Sequence, residues 1–139
     1  MKKLLTILIP AYNEQEVLPQ LFPRLDALAK TVDAYEFEFL FVNDGSTDET
    51  LSLLQAKAKN DSRISYVNLS RNFGKEVAML AGFDHARGDA TVIIDADLQD
   101  PPELIPEMIH YWEEGYDDVF ARRKSRAGES AVKKKTSAL

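Results

Sequence analysis

Cysteine is missing from this 139-residue chain, which excludes disulfides and any thiolate nucleophile or thiolate metal site. Histidine occurs only as His85 and His110, which are not spaced as a zinc set, so any metal chemistry falls to hard oxygen ligands. No apolar run approaches the roughly 20 residues that a membrane-crossing helix needs. Leu4 to Ile9, after Met1-Lys2-Lys3, is too short and too soon interrupted for a signal peptide, which gives the chain a soluble, cytosolic character. Neither Gly-x-Gly-x-x-Gly after the first strand nor a Gly-Lys-Ser/Thr phosphate loop is present, which argues against ordinary dinucleotide and ATP sites. At 45% hydrophobic, the chain can bury one core and is too short for two domains of ordinary size.

The net charge of -6 is unevenly spread. Residues 119–139 carry Arg122, Arg123, Lys124, Arg126, Lys133, Lys134 and Lys135 against Glu129 alone. A basic end on an acidic body argues against general nucleic-acid binding and for a local anion site or a membrane-facing segment. A solvated tail would look the same.

Apolar runs and helical periodicities alternate along the chain. Leu4 to Ile9, Glu38 to Val42, Ile64 to Leu69, Thr91 to Ile94 and Val119 to Ala121 read as strands. Between them, Asn13 with Glu16 and Ser46 with Glu49 have capping-box spacing ahead of the helices led by Val17 and Leu51. Pro19 and Pro23 imply that the first of these helices starts late or bends. A helix from about Lys75 to Ala86 and one over 101–114 complete the alternation. This is the pattern of an α/β fold with a mainly parallel sheet, whose ligands gather beyond the carboxyl ends of the strands. Pro10 to Glu14, Asp44, Asp95 to Gln99 and Arg122 fall there. Tyr12 offers a ring face and Glu14 a strong acceptor for base and ribose contacts, and a surface aromatic and a first-turn helix charge are their plainer roles. Asp44 reads as a ligand contact or an Asx-turn.

Ile93-Ile94-Asp95-Ala96-Asp97-Leu98-Gln99-Asp100-Pro101-Pro102-Glu103 is the most specific stretch. In extended chain, Asp95 and Asp97 share a face. Two ionised carboxylates that close call for a cation, a donor network or full solvation. Mg²⁺ or Mn²⁺ fits the first reading, with Gln99 as a neutral oxygen nearby, and a solvated acidic turn fits the last. Asp100, followed by Pro-Pro-Glu, reads as a helix N-cap.

With Ile9-Pro10-Ala11-Tyr12-Asn13-Glu14, Val42-Asn43-Asp44-Gly45-Ser46-Thr47-Asp48, Leu69-Ser70-Arg71-Asn72-Phe73-Gly74 and Gly88-Asp89-Ala90, this stretch resembles the inverting family 2 glycosyltransferases. It is similar above all to the branch that charges polyprenyl phosphates, the dolichyl-phosphate mannose synthases and bacterial undecaprenyl-phosphate glucosyltransferases. The resemblance implies a GT-A-like, Rossmann-like sheet flanked by helices and incomplete at its C-terminal end. Residues 1–121 would form the nucleotide-sugar-binding half, and 122–139 the start of an acceptor segment. It implies Pro10, Tyr12, Glu14, Asp44, Asp95 and Ala96 at the nucleoside, and Asp95, Asp97 and Gln99 at Mg²⁺ or Mn²⁺, with Asp97 the catalytic residue as a direct metal ligand beside the diphosphate. Arg122 and Arg126 would meet the diphosphate and the lipid phosphate. The implied partners are a nucleotide diphosphate sugar and polyprenyl phosphate, a full-length relative working at the cytoplasmic face of the membrane. The chain stops at Leu139, where relatives would continue into the acceptor half, so it is expected to be truncated. Two further classes remain open: a different nucleotide-sugar-handling α/β enzyme, and a non-catalytic nucleotide-binding fragment associating through an uncovered sheet edge, as a homo-oligomer would.

Overall fold

Four of the five apolar runs become strands of one parallel sheet in the computed structural model, which describes residues 2–97, 101–115, 118–123 and 130–135, the last two as backbone. The strands are β1 (Leu4–Ala11), β2 (Glu36–Asn43), β3 (Ile64–Asn68) and β4 (Ala90–Ile93). Their order is β3-β2-β1-β4, with every neighbouring pair parallel. The helices are α1 (Leu18–Thr31), α2 (Thr50–Asn60), α3 (Lys75–His85) and α4 (Ile105–Glu113), the last preceded by a 3-10 turn, Pro102–Leu104.

The central strands are apolar almost without interruption because both of their faces are covered. Leu5, Ile7 and Ile9 of β1 and Phe37, Phe39 and Phe41 of β2 join Leu18, Leu21, Leu25 and Leu28 of α1, Leu54 of α2 and Ile105 and Ile109 of α4 in one cluster. The interleaved Leu8, Leu40 and Val42 belong to a second, smaller cluster with Ala78 of α3. At about 1.5–3 kcal/mol for each fully buried large apolar side chain, the first cluster is the larger source of stability.

Three local expectations are corrected. The Asn13–Glu16 capping box does not form: α1 begins at Leu18 with no side-chain cap and with Pro19 in its first two positions, where a missing N–H costs little. Pro23 stays inside that helix, held by the burial of its neighbours Leu21 and Leu25. The Ser46–Glu49 box fails as well, since α2 begins at Thr50 and it is Asp48 Oδ1 that accepts from the Thr50 amide at 2.9 Å. Finally, the run at Val119 does not extend the parallel sheet. It lies in β5 (Asp118–Arg123), which pairs antiparallel with β6 (Ser130–Lys135) in a separate two-stranded sheet. The few residues between the two strands are too short a link for the crossover that parallel pairing requires. Asp100 lies outside the described residues, and the regular helix after it starts at Ile105. No described helix is long and apolar enough to cross a membrane.

The start of β4 is fixed by a buried charge. Glu38, 3% exposed, accepts from Thr6 Oγ1 (2.6 Å), from the Arg87 amide (3.0 Å) and from Arg87 Nε (3.0 Å), while Thr6 Oγ1 accepts from the Gly88 amide (2.9 Å). Burial pushes the Glu38 carboxyl up, and these donors more than offset it, so its pKa lies below the ordinary glutamate value. A depressed carboxyl pKa contributes stability above the unfolded-state pKa, and that stability is lost as pH falls through the folded one. Glu38→Gln is therefore expected to cost about 1–3 kcal/mol at pH 7. In urea unfolding the gap between variant and parent should close below roughly pH 4, the ordinary glutamate range; a gap that does not change with pH would remove the carboxylate from the account.

Candidate functional site

Strand order reverses direction between β1 and β4, and at such a switch point the loops leaving neighbouring strands part to leave a crevice. A cleft of about 360 Å³ opens there, lined by Pro10, Ala11, Tyr12 and Glu14 from β1 and its loop, Asp44 after β2, Asn72, Gly74 and Lys75 before α3, and Asp95, Ala96 and Asp97 after β4. Pro10, Tyr12, Glu14, Asp44, Asp95, Ala96 and Asp97, all singled out in the sequence, are thus brought together. Gln99 and Arg126 lie outside the described residues, and Arg122 sits in β5, opposite Ala131. A hollow of about 430 Å³ beside α2 and β3, lined by Gln55, Ala58, Lys59 and Tyr66, is somewhat larger. Among its described lining residues there is no carboxylate and no strand end, so volume does not make it the better candidate.

Asn13, Ser46 and Glu49, expected to cap helices, instead help clasp the first two loops together. Asn13 adopts φ 52°, its amide donates to Ser46 Oγ (2.9 Å), and its Oδ1 accepts from the Thr47 amide (2.8 Å). The Glu14 amide donates to Thr50 Oγ1 (2.8 Å) and the Gln15 amide to Asp48 Oδ2 (3.2 Å), while Gln15 Oε1 accepts from the Glu49 amide (3.0 Å). This reciprocal set holds the edge of the cleft carrying Tyr12, which is 45% exposed, and Glu14.

Asp44 is the pin for the third loop. It is 4% exposed and accepts from the amides of Phe73 (2.8 Å) and Gly74 (3.0 Å) and from Asn72 Nδ2 (3.2 Å). No Asx-turn forms at Asp44: the Ser46 amide points to Asn43 Oδ1 at 3.4 Å. Beside it, Gly45 has φ 68°, and a Cβ there would lie 2.2 Å from the backbone carbon of Arg71. Only glycine allows the second and third loops to approach so closely.

The acidic pair is set differently from expectation. β4 ends at Ile93, so Asp95 and Asp97 stand in a turn beyond the strand, and their common orientation into the cleft comes from that turn rather than from the pleat. Ala96 between them is buried, and the Asp95 carboxylate pairs with Lys75 Nζ at 2.5 Å. Burial raises the pKa of Glu14, and Asp97, Asp48 and Asp95 raise it further, so the cleft has a negative field. Among the described residues no group of three or more His, Cys, Asp or Glu is arranged to hold a metal ion. The donor chemistry of the two carboxylates still suits a hard divalent cation that takes its other ligands from a phosphate and from beyond these residues.

Asn72, Gly74 and Lys75 were not singled out from the sequence as site residues. The available signal was the polar break Ser70-Arg71-Asn72-Phe73-Gly74-Lys75 at another strand's carboxyl end, read only as a loop and a motif.

A family model described as "Glycosyl transferase family 2" matches residues 6–138. Among curated proteins, a glycosyltransferase of Bacillus subtilis, YkcC, is 47% identical over 135 residues, 96% of this chain and 41% of its own. A prophage bactoprenol glucosyl transferase homolog of Escherichia coli is 42% identical over 132 residues, 95% of this chain and 43% of its own. The chain thus spans about two fifths of the length of these relatives. Among solved structures, the mannosyltransferase PcManGT of Pyrobaculum calidifontis, in complex with GDP-Man and Mn²⁺, superimposes with a TM-score of 0.71 at 22% identity, over 86% of this chain and 35% of that one. The S. aureus TarS fragment with UDP-GlcNAc gives 0.64 at 26%, over 86% and 33%. The fold is accordingly the Rossmann-like sheet of GT-A glycosyltransferases. With the family model matching nearly end to end, and the sheet, the switch-point cleft and the acidic turn all in place, this chain belongs to glycosyl transferase family 2.

Proposed function

We propose that this chain is the nucleotide-binding part of an enzyme that transfers a sugar, with inversion, from a nucleoside diphosphate to polyprenyl phosphate. The observation that carries it is the convergence of Tyr12, Glu14, Asp44, Asp95 and Asp97 on one cleft at the strand switch point. Support for the acceptor comes from the bactoprenol glucosyl transferases among its relatives, and for the donor from neighbours that hold GDP-Man and UDP-GlcNAc.

In this reading Pro10, Tyr12, Glu14 and Asp44 hold the nucleoside, with Asp95 and Ala96 beside the ribose. Asp95 and Asp97, with Gln99, would hold Mg²⁺ or Mn²⁺, which when bound draws charge from the leaving diphosphate. Asp97, as a direct ligand of that ion, would stand beside the diphosphate and so carry the catalytic role. The acceptor phosphate is largely dianionic at neutral pH, its second pKa being near 6. Its oxygen attacks the anomeric carbon from the face opposite the diphosphate without first losing a proton to the protein, so no general base is assigned. Arg122 and Arg126 would neutralise the diphosphate and the lipid phosphate. Residues 122–139 then open the acceptor segment, and the work takes place at the cytoplasmic face of a membrane.

The 139-residue chain is expected to bind a uridine or guanosine diphosphate by calorimetry with Mn²⁺, more weakly in EDTA, and to give no multiple turnover by itself. A longer polypeptide of its relatives' length, given polyprenyl phosphate in detergent, should release nucleoside diphosphate together with prenyl-phosphate sugar. Failure of both nucleotides to bind would overturn the reading, and robust turnover by the chain itself would refute its assignment as the nucleotide-binding part only.

A further inference from the structure

We propose that Lys75 is a resident counter-cation of the cleft, yielding Asp95 to a divalent ion and turning to a phosphate of the donor when nucleotide binds. The proposal rests on the nucleotide reading above and adds to it a residue and a sequence of exchanges. Among the described residues lining the cleft, Lys75 is the one basic side chain, where Glu14, Asp44, Asp95 and Asp97 are all acids. Its Nζ is 2.5 Å from Asp95 Oδ1, the same carboxylate that the acidic pair would offer to a metal.

The attachment and the freedom of this side chain differ. Lys75 opens α3 directly after Gly74, whose amide is fixed to Asp44, so its Cα is held at the cleft wall. The ammonium itself ends a flexible four-carbon stem and is 56% exposed, against 31% for Asp95. An ion pair as exposed as this contributes little to stability, so breaking it is easy. A divalent ion and an ammonium cannot share one carboxylate closely without strong repulsion. The diphosphate brings compensating negative charge into the same cleft, within reach of the displaced ammonium. An empty cleft thus keeps its acids partly neutralised, and the loaded cleft gains a phosphate contact.

Removing the ammonium therefore has opposite effects on two ligands. Lys75→Met, which keeps the stem, should bind Mn²⁺ alone about two- to fivefold more tightly, read from the free-ion signal in electron paramagnetic resonance. It should bind uridine or guanosine diphosphate in saturating Mn²⁺ about tenfold more weakly, a charge-assisted hydrogen bond being lost. Lys75→Arg should stay close to the parent in both titrations, and thermal unfolding should be unchanged in both variants. Unchanged or weaker Mn²⁺ binding by Lys75→Met, or no Mn²⁺ binding by either protein, would overturn the exchange. Tighter Mn²⁺ binding with undiminished nucleotide affinity would overturn the phosphate contact. If neither protein bound nucleotide while Lys75→Met still gained Mn²⁺ affinity, the nucleotide reading would fall and the competition at Asp95 would stand.

Discussion

Asp97→Asn is expected to remove the metal dependence of nucleoside diphosphate binding. The substitution keeps the shape of the side chain and replaces a charged oxygen by a neutral amide, so attraction to a divalent ion is lost and the incoming diphosphate is less compensated. Changes to residues behind a metal ligand already cost about 10–100-fold in metal affinity, so loss of a direct ligand should cost at least the upper end of that range. In calorimetry the variant's affinity with Mn²⁺ should fall to its value in EDTA. Because the Asp97 carboxylate is one cause of the raised Glu14 pKa, the same variant should bring Glu14 back toward the ordinary value, visible as a shifted side-chain titration. Undiminished metal dependence in Asp97→Asn, with loss in Asp95→Asn, would reassign the ligand.

Asp44→Ala should lose both stability and binding. Its carboxylate satisfies the amides of Phe73 and Gly74, and with it gone these donors have no protein acceptor in a cleft wall that is already partly closed. At about 1–3 kcal/mol for each orphaned donor, a loss of about 2–6 kcal/mol is expected in urea unfolding. Asn72 keeps one tie, from its Nδ2 to the Asp44 backbone oxygen at 3.1 Å, so the loop should loosen at Phe73 and Gly74 rather than detach. Asp44→Asn, with one acceptor oxygen left, should fall between variant and parent. A stability within about 0.5 kcal/mol of the parent, the scatter of ordinary surface substitutions, would show that the pin is not needed.

The sheet was legible because its central strands are apolar on both faces: Leu4 to Ile9 and Glu38 to Val42 can be little else. Strand ends were legible in turn, and a parallel sheet puts those ends on one edge, which is why Tyr12, Glu14, Asp44 and Asp95 to Asp97 could be gathered without knowing any distance. The capping boxes at Asn13 and Ser46 misled because an Asn or Ser five or four residues before a helix start reads alike whether it bonds its own helix or a neighbouring loop. Here the neighbouring loop won, since the left-handed Asn13 turns its amide and Oδ1 to Ser46 and Thr47 of the second loop. Lys75 escaped notice because its partner, Asp95, comes near only through the pairing of β4 with β1, and a lysine at a helix start carries no local sign of it. The run at Val119 is too short for its pattern to distinguish a parallel from an antiparallel neighbour.

The central claim is the location of the nucleotide, and amide chemical shifts of the isotope-labelled chain test it most directly. Titration with uridine or guanosine diphosphate in Mg²⁺ should give saturable shifts at Tyr12, Asp44 and Asp95 to Asp97, with Gln55, Lys59 and Tyr66 at the other hollow unmoved. Shifts centred on Gln55, Lys59 and Tyr66, or none that saturate, would contradict it.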